Sequence, residues 1–207
     1  MNTSPGVVYI VEDDISFRKS VERLICTSGF ETVAFESANA FLTQATIQRP
    51  ACLLLDVQLP DLDGLQLQKK LMQQGMHLPI IFMTGHGSIP MSVSAMKKGA
   101  IDFLPKPFKT EDLLKSIREA LDRDLFNMKE ESQKSKVGSL INTLTPREKE
   151  ILRWLITGKL NKQIAYDLGI TERTVKAHRS RVLEKTKVSS IAELVRLAEQ
   201  AGISPAD

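Results

Sequence analysis

The chain has only two cysteines in 207 residues, Cys26 and Cys52, and no CxxC pair. Neither a disulfide framework nor a structural zinc site is expected from them, and each thiol reads as a small buried hydrophobe in a reducing compartment. Histidine is equally sparse. His77, His86 and His178 are too dispersed to form a metal site. Long apolar runs are missing as well: the longest, such as Ala51 to Leu55, reach five or six residues, against the ~20 that a membrane-crossing helix needs. The opening MNTSPG carries no basic residue and leads into no stretch fit for a signal peptide. The expectation is a soluble, cytoplasmic protein with no membrane partner. What remains is the composition of an ordinary folded chain, 42% hydrophobic and 26% charged, with a length that allows one large domain or two small ones.

The net charge of +3 hides an asymmetry. Residues 1–122 carry 12 Lys and Arg against 14 acids, whereas residues 123–207 carry 16 against 11. A basic second half suggests an anionic partner there.

Along the first 120 residues, short β-rich runs (Val7 to Val11, Thr32 to Phe35, Cys52 to Asp56, Ile80 to Met83, Asp102 to Leu104) alternate with segments of helical spacing. Those segments are marked by Phe17, Val21, Leu24 and Ile25, then Phe41 with Leu42, Leu65 to Leu71, Val93 with Met96, and Leu113 to Leu121. Five βα units in succession predict a parallel, doubly wound sheet with helices on both faces. CLLLD and IIFM are continuously apolar, as strands covered on both faces should be. Ser37 and Thr110 are placed to cap helices.

After Leu121 the texture changes. Seven charged residues lie between Arg123 and Ser139, ending in EESQKSKVGS, so residues 123–139 read as a linker. Leu125 and Met128 continue the preceding apolar stripe, which predicts a helix to about residue 130 and a flexible hinge beyond it. Residues 140–207 are helical in signal throughout. Thr145-Pro146-Arg147-Glu148 forms a capping box with Pro at the first helical position, closed downstream at Gly158. Asn161 and Thr171 are candidate caps of a second and third helix, and Ser190 with Glu193 boxes a fourth. Trp154 reads as a core anchor.

Chemistry-bearing residues of the first domain fall at the carboxyl ends of the predicted strands, where open α/β sheets bind ligands. The first strand runs into Glu12-Asp13-Asp14, the third ends in Asp56, the fourth in Thr84-Gly85, and the fifth leads to Lys106-Pro107. Carboxylates about 4 Å apart repel by roughly 4 kcal/mol at an effective dielectric of 20, so such a cluster favours a cation. Hard oxygen donors suit Mg²⁺, which shares its shell with phosphate. Lys106 and the Thr84 hydroxyl can meet phosphoryl oxygens, and the set fits an aspartate that accepts a phosphoryl group. Any single acid at a strand end could simply cap the next helix. All four features together make that a poor explanation.

The segments VYIVEDD, LLLDVQLPDLDG, FMTGHG and MKKGAIDFLPKPF resemble the receiver domain of two-component response regulators, over residues 5–122. The resemblance implies a five-stranded flavodoxin-like fold, phosphorylation at Asp56, and Mg²⁺ held by Glu12, Asp13, Asp56 and the Gln58 backbone carbonyl. It implies catalytic roles for Thr84 and Lys106, a Thr84–Phe103 switch pair and a cis Lys106–Pro107 bond. Glu12 stands where Asp is commoner, and Phe103 lacks the hydroxyl often found there.

In the second domain TERTVKAHRSRVLEKTK, residues 171–187, carries a net charge of +4. On a helix, Val175, Val182 and partly His178 face one way, and Arg173, Lys176, Ala177 and Ser180 the other. A basic outer face after a short helix and a Gly turn is the form of a helix-turn-helix reader. A basic face can also be mere solvated surface. Residues 140–203, notably NKQIA followed by TVKAH, resemble the LuxR/NarL-type DNA-binding domain. That implies base contacts from Lys176, Ala177 and Ser180, and phosphate contacts from Arg173, Thr174, Arg179 and Arg181. Thr186 replaces the usual Leu, which predicts looser packing of this helix. Receiver plus this output resembles the FixJ/NarL class, and TGHGSIPMSVSAMKKGA its FixJ branch. The implied partners are a sensor histidine kinase, a double-stranded DNA operator, a second copy when phosphorylated, and RNA polymerase. Two rival readings fare worse. An aspartyl-phosphate hydrolase would place a second acid two residues after the nucleophile, where Gln58 stands, and a vestigial receiver would not keep the acid, Thr and Lys set.

Overall fold

A computed structural model describes residues 6–85, 93 and 95–206. Five strands, β1 (Val7–Val11), β2 (Glu31–Phe35), β3 (Ala51–Asp56), β4 (Ile80–Thr84) and β5 (Asp102–Pro105), form one parallel sheet in the order β2-β1-β3-β4-β5. The chain reverses direction across the sheet on either side of β1 and β3, so the residues just beyond the carboxyl ends of these two strands meet in one crevice. Both faces are covered. Tyr9, Leu53, Leu55 and Phe82 pack on one side with α2 (Ala38–Gln44) and α3 (Gly64–Gln73). Val8, Ile10, Leu54 and Ile81 pack on the other with α1 (Ile15–Thr27) and the first turns of α4 (Thr110–Asn142). That two-sided burial explains the unbroken apolar runs of β3 and β4. Cys52 is fully buried within β3, and Cys26 is exposed on α1.

Ser37 caps α2 as expected, its hydroxyl accepting from the Ala40 N–H at 3.1 Å. Thr110 is instead the first residue of α4, and the Leu113 N–H donates to the Lys109 carbonyl. The helix expected to stop near residue 130 runs on to Asn142. Lys, Glu, Gln and Met all sustain a helix at little cost, and Val137 and Ile141 in its last turns are buried in the core of the second unit.

The chain divides into two compact units, Met1–Met128 and Lys129–Asp207. In the second, the end of α4, α5 (Pro146–Leu155), α6 (Asn161–Asp167), α7 (Glu172–Thr186) and α8 (Ile191–Gln200) enclose Ile151, Leu152, Ile164, Val175, Val182 and Leu194. The Thr145 capping box is present, the hydroxyl accepting from the Glu148 N–H and the Glu148 carboxylate from the Thr145 N–H. Asn161 is the first residue of α6 and does not cap it; the preceding N–H, of Leu160, donates to the Gln163 side chain at 2.8 Å. Thr186 is 1% exposed, and its hydroxyl donates to the Val182 carbonyl at 2.6 Å. The hydroxyl that replaces an apolar side chain here thus finds its partner one turn back and is not left unpaired. Among the described residues no helix is long and apolar enough to cross a membrane.

Candidate functional site

Three loops build the acidic crevice. Asp14 caps α1, accepting from the Ser16 and Phe17 N–H groups at 2.8 and 2.9 Å, and these two bonds hold its carboxyl below the usual range. It is therefore the helix cap of the Glu12-Asp13-Asp14 triplet. Glu12 and Asp13 turn instead towards Asp56, and carboxylate oxygens of Glu12, Asp13 and Asp56 lie within 4.8 Å of one another. Arg18 on α1 donates to the carbonyls of Glu12 and Asp13, pinning the backbone of that loop.

After β3 the chain is held by two hydrogen bonds from backbone N–H groups. The Gln58 N–H donates to Asp56 Oδ1 at 3.0 Å, and the Gly64 N–H to the Val57 carbonyl at 2.9 Å. Gly64 is required at the start of α3 because any side chain there would collide with the Asp56 carbonyl oxygen. Asp63 caps the same helix through the Leu65 N–H. Asp61 accepts from the Ala38 and Asn39 N–H groups and so ties the loop to α2.

Lys106 closes the crevice from β5. Its ammonium donates to Glu12 Oε2 at 2.6 Å and to Asp56 Oδ2 at 2.7 Å. The Lys106 N–H donates to the Thr84 carbonyl at 2.7 Å, and the Lys106–Pro107 bond is cis, as is Arg49–Pro50. Burial opposes the charge on Lys106, but the hydrogen bonds and charges of Asp56 and Glu12 outweigh it, and its pKa is raised. Glu12, 1% exposed, is pushed up to about 7. Burial is the main cause, opposed by the hydrogen bond from Lys106 and reinforced by the neighbouring charge of Asp56. Thr84 is buried at the end of β4, and Phe103 packs against Phe82 with ring centroids 6.0 Å apart. Thus Glu12, Asp13, Asp56 and Lys106 meet in one site, Thr84 is joined to Lys106 through the backbone, and Gln58 borders Asp56. His86 lies outside the described residues.

In the second unit Thr171 caps α7, accepting from the Thr174 N–H at 3.2 Å. Val175 and Val182 are buried, while Arg173, Lys176, Ala177, Ser180 and Arg181 are exposed. Lys176 pairs with Glu172 one turn earlier at 3.0 Å. Thr174 and Arg179 are half-buried, and Arg179 reaches Asn161 of α6 at 3.4 Å. Lys185 is drawn inwards to Glu148 at 2.6 Å, leaving the N-terminal two-thirds of α7 to carry the open basic face.

Sequence reasoning missed Arg18, whose long side chain gave no sign that it would bond two carbonyls of the acidic loop. It also missed Asp124, which fell within the span read as a linker. Asp124 is fully buried, accepting from the Ala51 N–H at 2.9 Å and pairing with Arg49 at 2.8 Å. Only its place on the buried stripe of α4 could have signalled this.

A doubly wound sheet with an acidic, lysine-closed crevice defines a receiver-type signalling domain, here followed by a helical unit with a basic helix. Residues 8–118 match the response regulator receiver domain, and residues 142–198 match the bacterial regulatory proteins of the luxR family. The chain belongs to the two-component response regulators with a LuxR-type DNA-binding domain, and is a transcriptional regulator of that class rather than an enzyme. It is 44% identical over 202 residues to nodulation protein W of Bradyrhizobium diazoefficiens, covering 98% of this chain and 89% of that one. It is 42% identical over 200 residues to the transcriptional regulatory protein FixJ of Azorhizobium caulinodans, covering 97% and 95%. Among solved structures it resembles response regulator StyR (40% identity, TM-score 0.84, 96% of this chain and 100% of that one). It also resembles full-length FixJ from B. japonicum (37% identity, TM-score 0.57, 97% and 98%).

Proposed function

We propose that Asp56 accepts the phosphoryl group and that its phosphorylation promotes dimerisation and operator binding. The observation that carries this is the meeting of the Glu12, Asp13 and Asp56 carboxylates within 4.8 Å, with the Lys106 ammonium 2.7 Å from Asp56. An Asp56 carboxylate oxygen attacks phosphorus, an O–P bond forms, and the bond to the donor's leaving group breaks. Lys106 donates to a phosphoryl oxygen and the Thr84 hydroxyl to another, so the charge brought in meets fixed donors. The three carboxylates, with the Gln58 backbone carbonyl that the receiver resemblance adds, suit a hard divalent cation such as Mg²⁺. The Glu12, Asp13 and Asp56 carboxylates would hold that ion, which would supply positive charge to offset theirs and that of the incoming phosphoryl group.

In this reading residues 1–122 are the receiver, 123–139 the linker and 140–207 the DNA-binding domain. A sensor histidine kinase is the phosphodonor. Thr84, drawn towards the phosphoryl group, vacates space for Phe103, and the altered face over residues 90–105 pairs with a second copy; of these, residues 90–92 and 94 lie outside the described residues. Lys176, Ala177 and Ser180 read base edges, while Arg173, Thr174, Arg179 and Arg181 serve phosphates. RNA polymerase is a further partner, and the cytoplasm the setting.

The test is intact-mass spectrometry after incubation with acetyl phosphate. Wild type gains one phosphoryl group when Mg²⁺ is present and none after chelation. Asp56→Asn gains none at a comparable rate. Equal uptake by wild type and Asp56→Asn would mean that the phosphoacceptor is misassigned.

A further inference from the structure

Lys106 has three N–H donors. Two are used by Glu12 and Asp56. The ammonium also sits over the ring of Phe17, 4.2 Å from its centroid. Phe17 belongs to the first turn of α1, beside the Asp14 cap that accepts from its own N–H. Its ring is met edge-on by Phe108, with centroids 5.9 Å apart and planes at 78°. Phe108 lies two residues beyond Lys106, so the ring touches the β5 loop at two points. The sequence pattern assigned Phe17 to the apolar stripe of α1, and it does pack at the edge of that core. Its contact with the ammonium is a different matter, because an aliphatic residue would fill the stripe equally well.

We propose that Phe17 is a positioning residue for phosphoryl transfer, its ring face holding the Lys106 ammonium at Asp56. The inference rests on the phosphoacceptor reading above. An aromatic face attracts a cation without accepting a conventional hydrogen bond. The ammonium is thereby held against the crevice wall while its donors stay directed at oxygen. When a phosphoryl group arrives, Lys106 must shift a donor from a carboxylate to a phosphoryl oxygen. A broad π face tolerates that small movement, whereas a fixed acceptor in the same place would oppose it. The ring also excludes water from one side of the ammonium, which strengthens its attraction for the anion. Phe108 fixes the ring's tilt, and α1 thereby sets the position of a residue supplied by β5.

The test uses the full chain, acetyl phosphate and Mg²⁺, with Phe17 replaced by Leu, Tyr or Trp and, by non-natural incorporation, 3,4,5-trifluorophenylalanine. The fluorinated ring keeps the shape of phenylalanine but weakens the negative face, so it separates electrostatics from folding. Phe17→Leu is expected to slow phosphorylation about fivefold, the scale of a partly desolvated cation–π contact. The fluorinated ring should fall between Leu and Phe, and Tyr and Trp should restore the rate. A second readout is independent of phosphorylation. The ring current should move the Lys106 ε-methylene proton resonances upfield in wild type, and Phe17→Leu should return them to ordinary lysine values. Should the fluorinated protein and Phe17→Leu both match wild type in rate while Lys106→Ala is slowed, the positioning role is overturned and the phosphoacceptor reading stands. Should Lys106→Ala itself match wild type, that reading of the crevice fails and takes this proposal with it.

Discussion

Lys185, near the end of α7, donates to Glu148 Oε2 at 2.6 Å, and the same oxygen accepts from the Thr145 N–H at 2.8 Å. One carboxylate thus completes the cap of α5 and anchors the helix that carries the basic face. The hydrogen bond from Lys185 is the largest influence on Glu148 and, with that from the Thr145 N–H, lowers its pKa from 4.5 to about 2. A depressed carboxylate contributes stability above its unfolded pKa and loses it as protons bind the folded state. Thermal denaturation of wild type and Glu148→Gln should therefore differ fully at pH 7. The difference should shrink as pH falls below about 4.5 and vanish near 2. A gap that stays constant from pH 7 to 3 would show that the charge on Glu148 is not what holds the two helices.

Asp124 is a second buried carboxylate, bonded to Arg49 and to the Ala51 N–H beside the start of β3. Replacing it by Ala removes the buried acceptor of the Ala51 N–H and the carboxylate that pairs with Arg49. Removing one member of a buried pair costs about 3–5 kcal/mol, and the lower end applies here because the Arg49 side chain is 27% exposed. Urea unfolding of Asp124→Ala should show the loss. A change below about 1 kcal/mol would mean that water replaces the carboxylate without strain.

On the basic face, Lys176→Ala should weaken operator binding by about 1–3 kcal/mol and relax preference at one base position. Arg181→Ala should instead weaken all sequences alike and lower the salt slope by about one. Fluorescence anisotropy with operator and scrambled duplexes over a salt series distinguishes the two effects. Arg179 should resemble Arg181 but with a smaller effect, since Asn161 already holds it.

Dimerisation can be read directly. Sedimentation velocity at micromolar protein, with acetyl phosphate and Mg²⁺, should shift wild type towards the dimer and leave Asp56→Asn a monomer. Moving such a population from 1:99 to 99:1 takes about 5.5 kcal/mol of differential stabilisation. Unchanged sedimentation of a fully phosphorylated sample would remove dimerisation from the account.

Much of this was legible in the sequence because its signals were local or periodic. The apolar runs of β3 and β4 follow from burial on two faces, and the Thr145-Pro146-Arg147-Glu148 box from spacing alone. Glu12, Asp56 and Lys106 could be grouped before the fold was known, since parallel strands bring their carboxyl ends together. What stayed hidden depended on contacts between distant segments. Arg49 and Asp124 are 75 residues apart, and neither has a pattern that names the other. The extension of α4 to Asn142 was missed because a Ser/Lys-rich composition looks like a hinge. Its helical state reflects Val137 and Ile141 being buried in a core that linear pattern does not reveal. Phe17 was visible as an apolar residue and invisible as a neighbour of Lys106.

The two cysteines differ sharply in reach. Cys52 has no solvent exposure, and burial, with a smaller push from the Asp124 charge, raises its thiol well above the usual range. Cys26 is exposed, with its sulfur 3.0 Å from the Thr32 hydroxyl. A maleimide dye added to the native protein should therefore couple at a single place, on the outer end of α1, with no mutagenesis. The natural sequence carries its own attachment point for a spectroscopic reporter, remote in sequence from the basic helix and outside the acidic crevice.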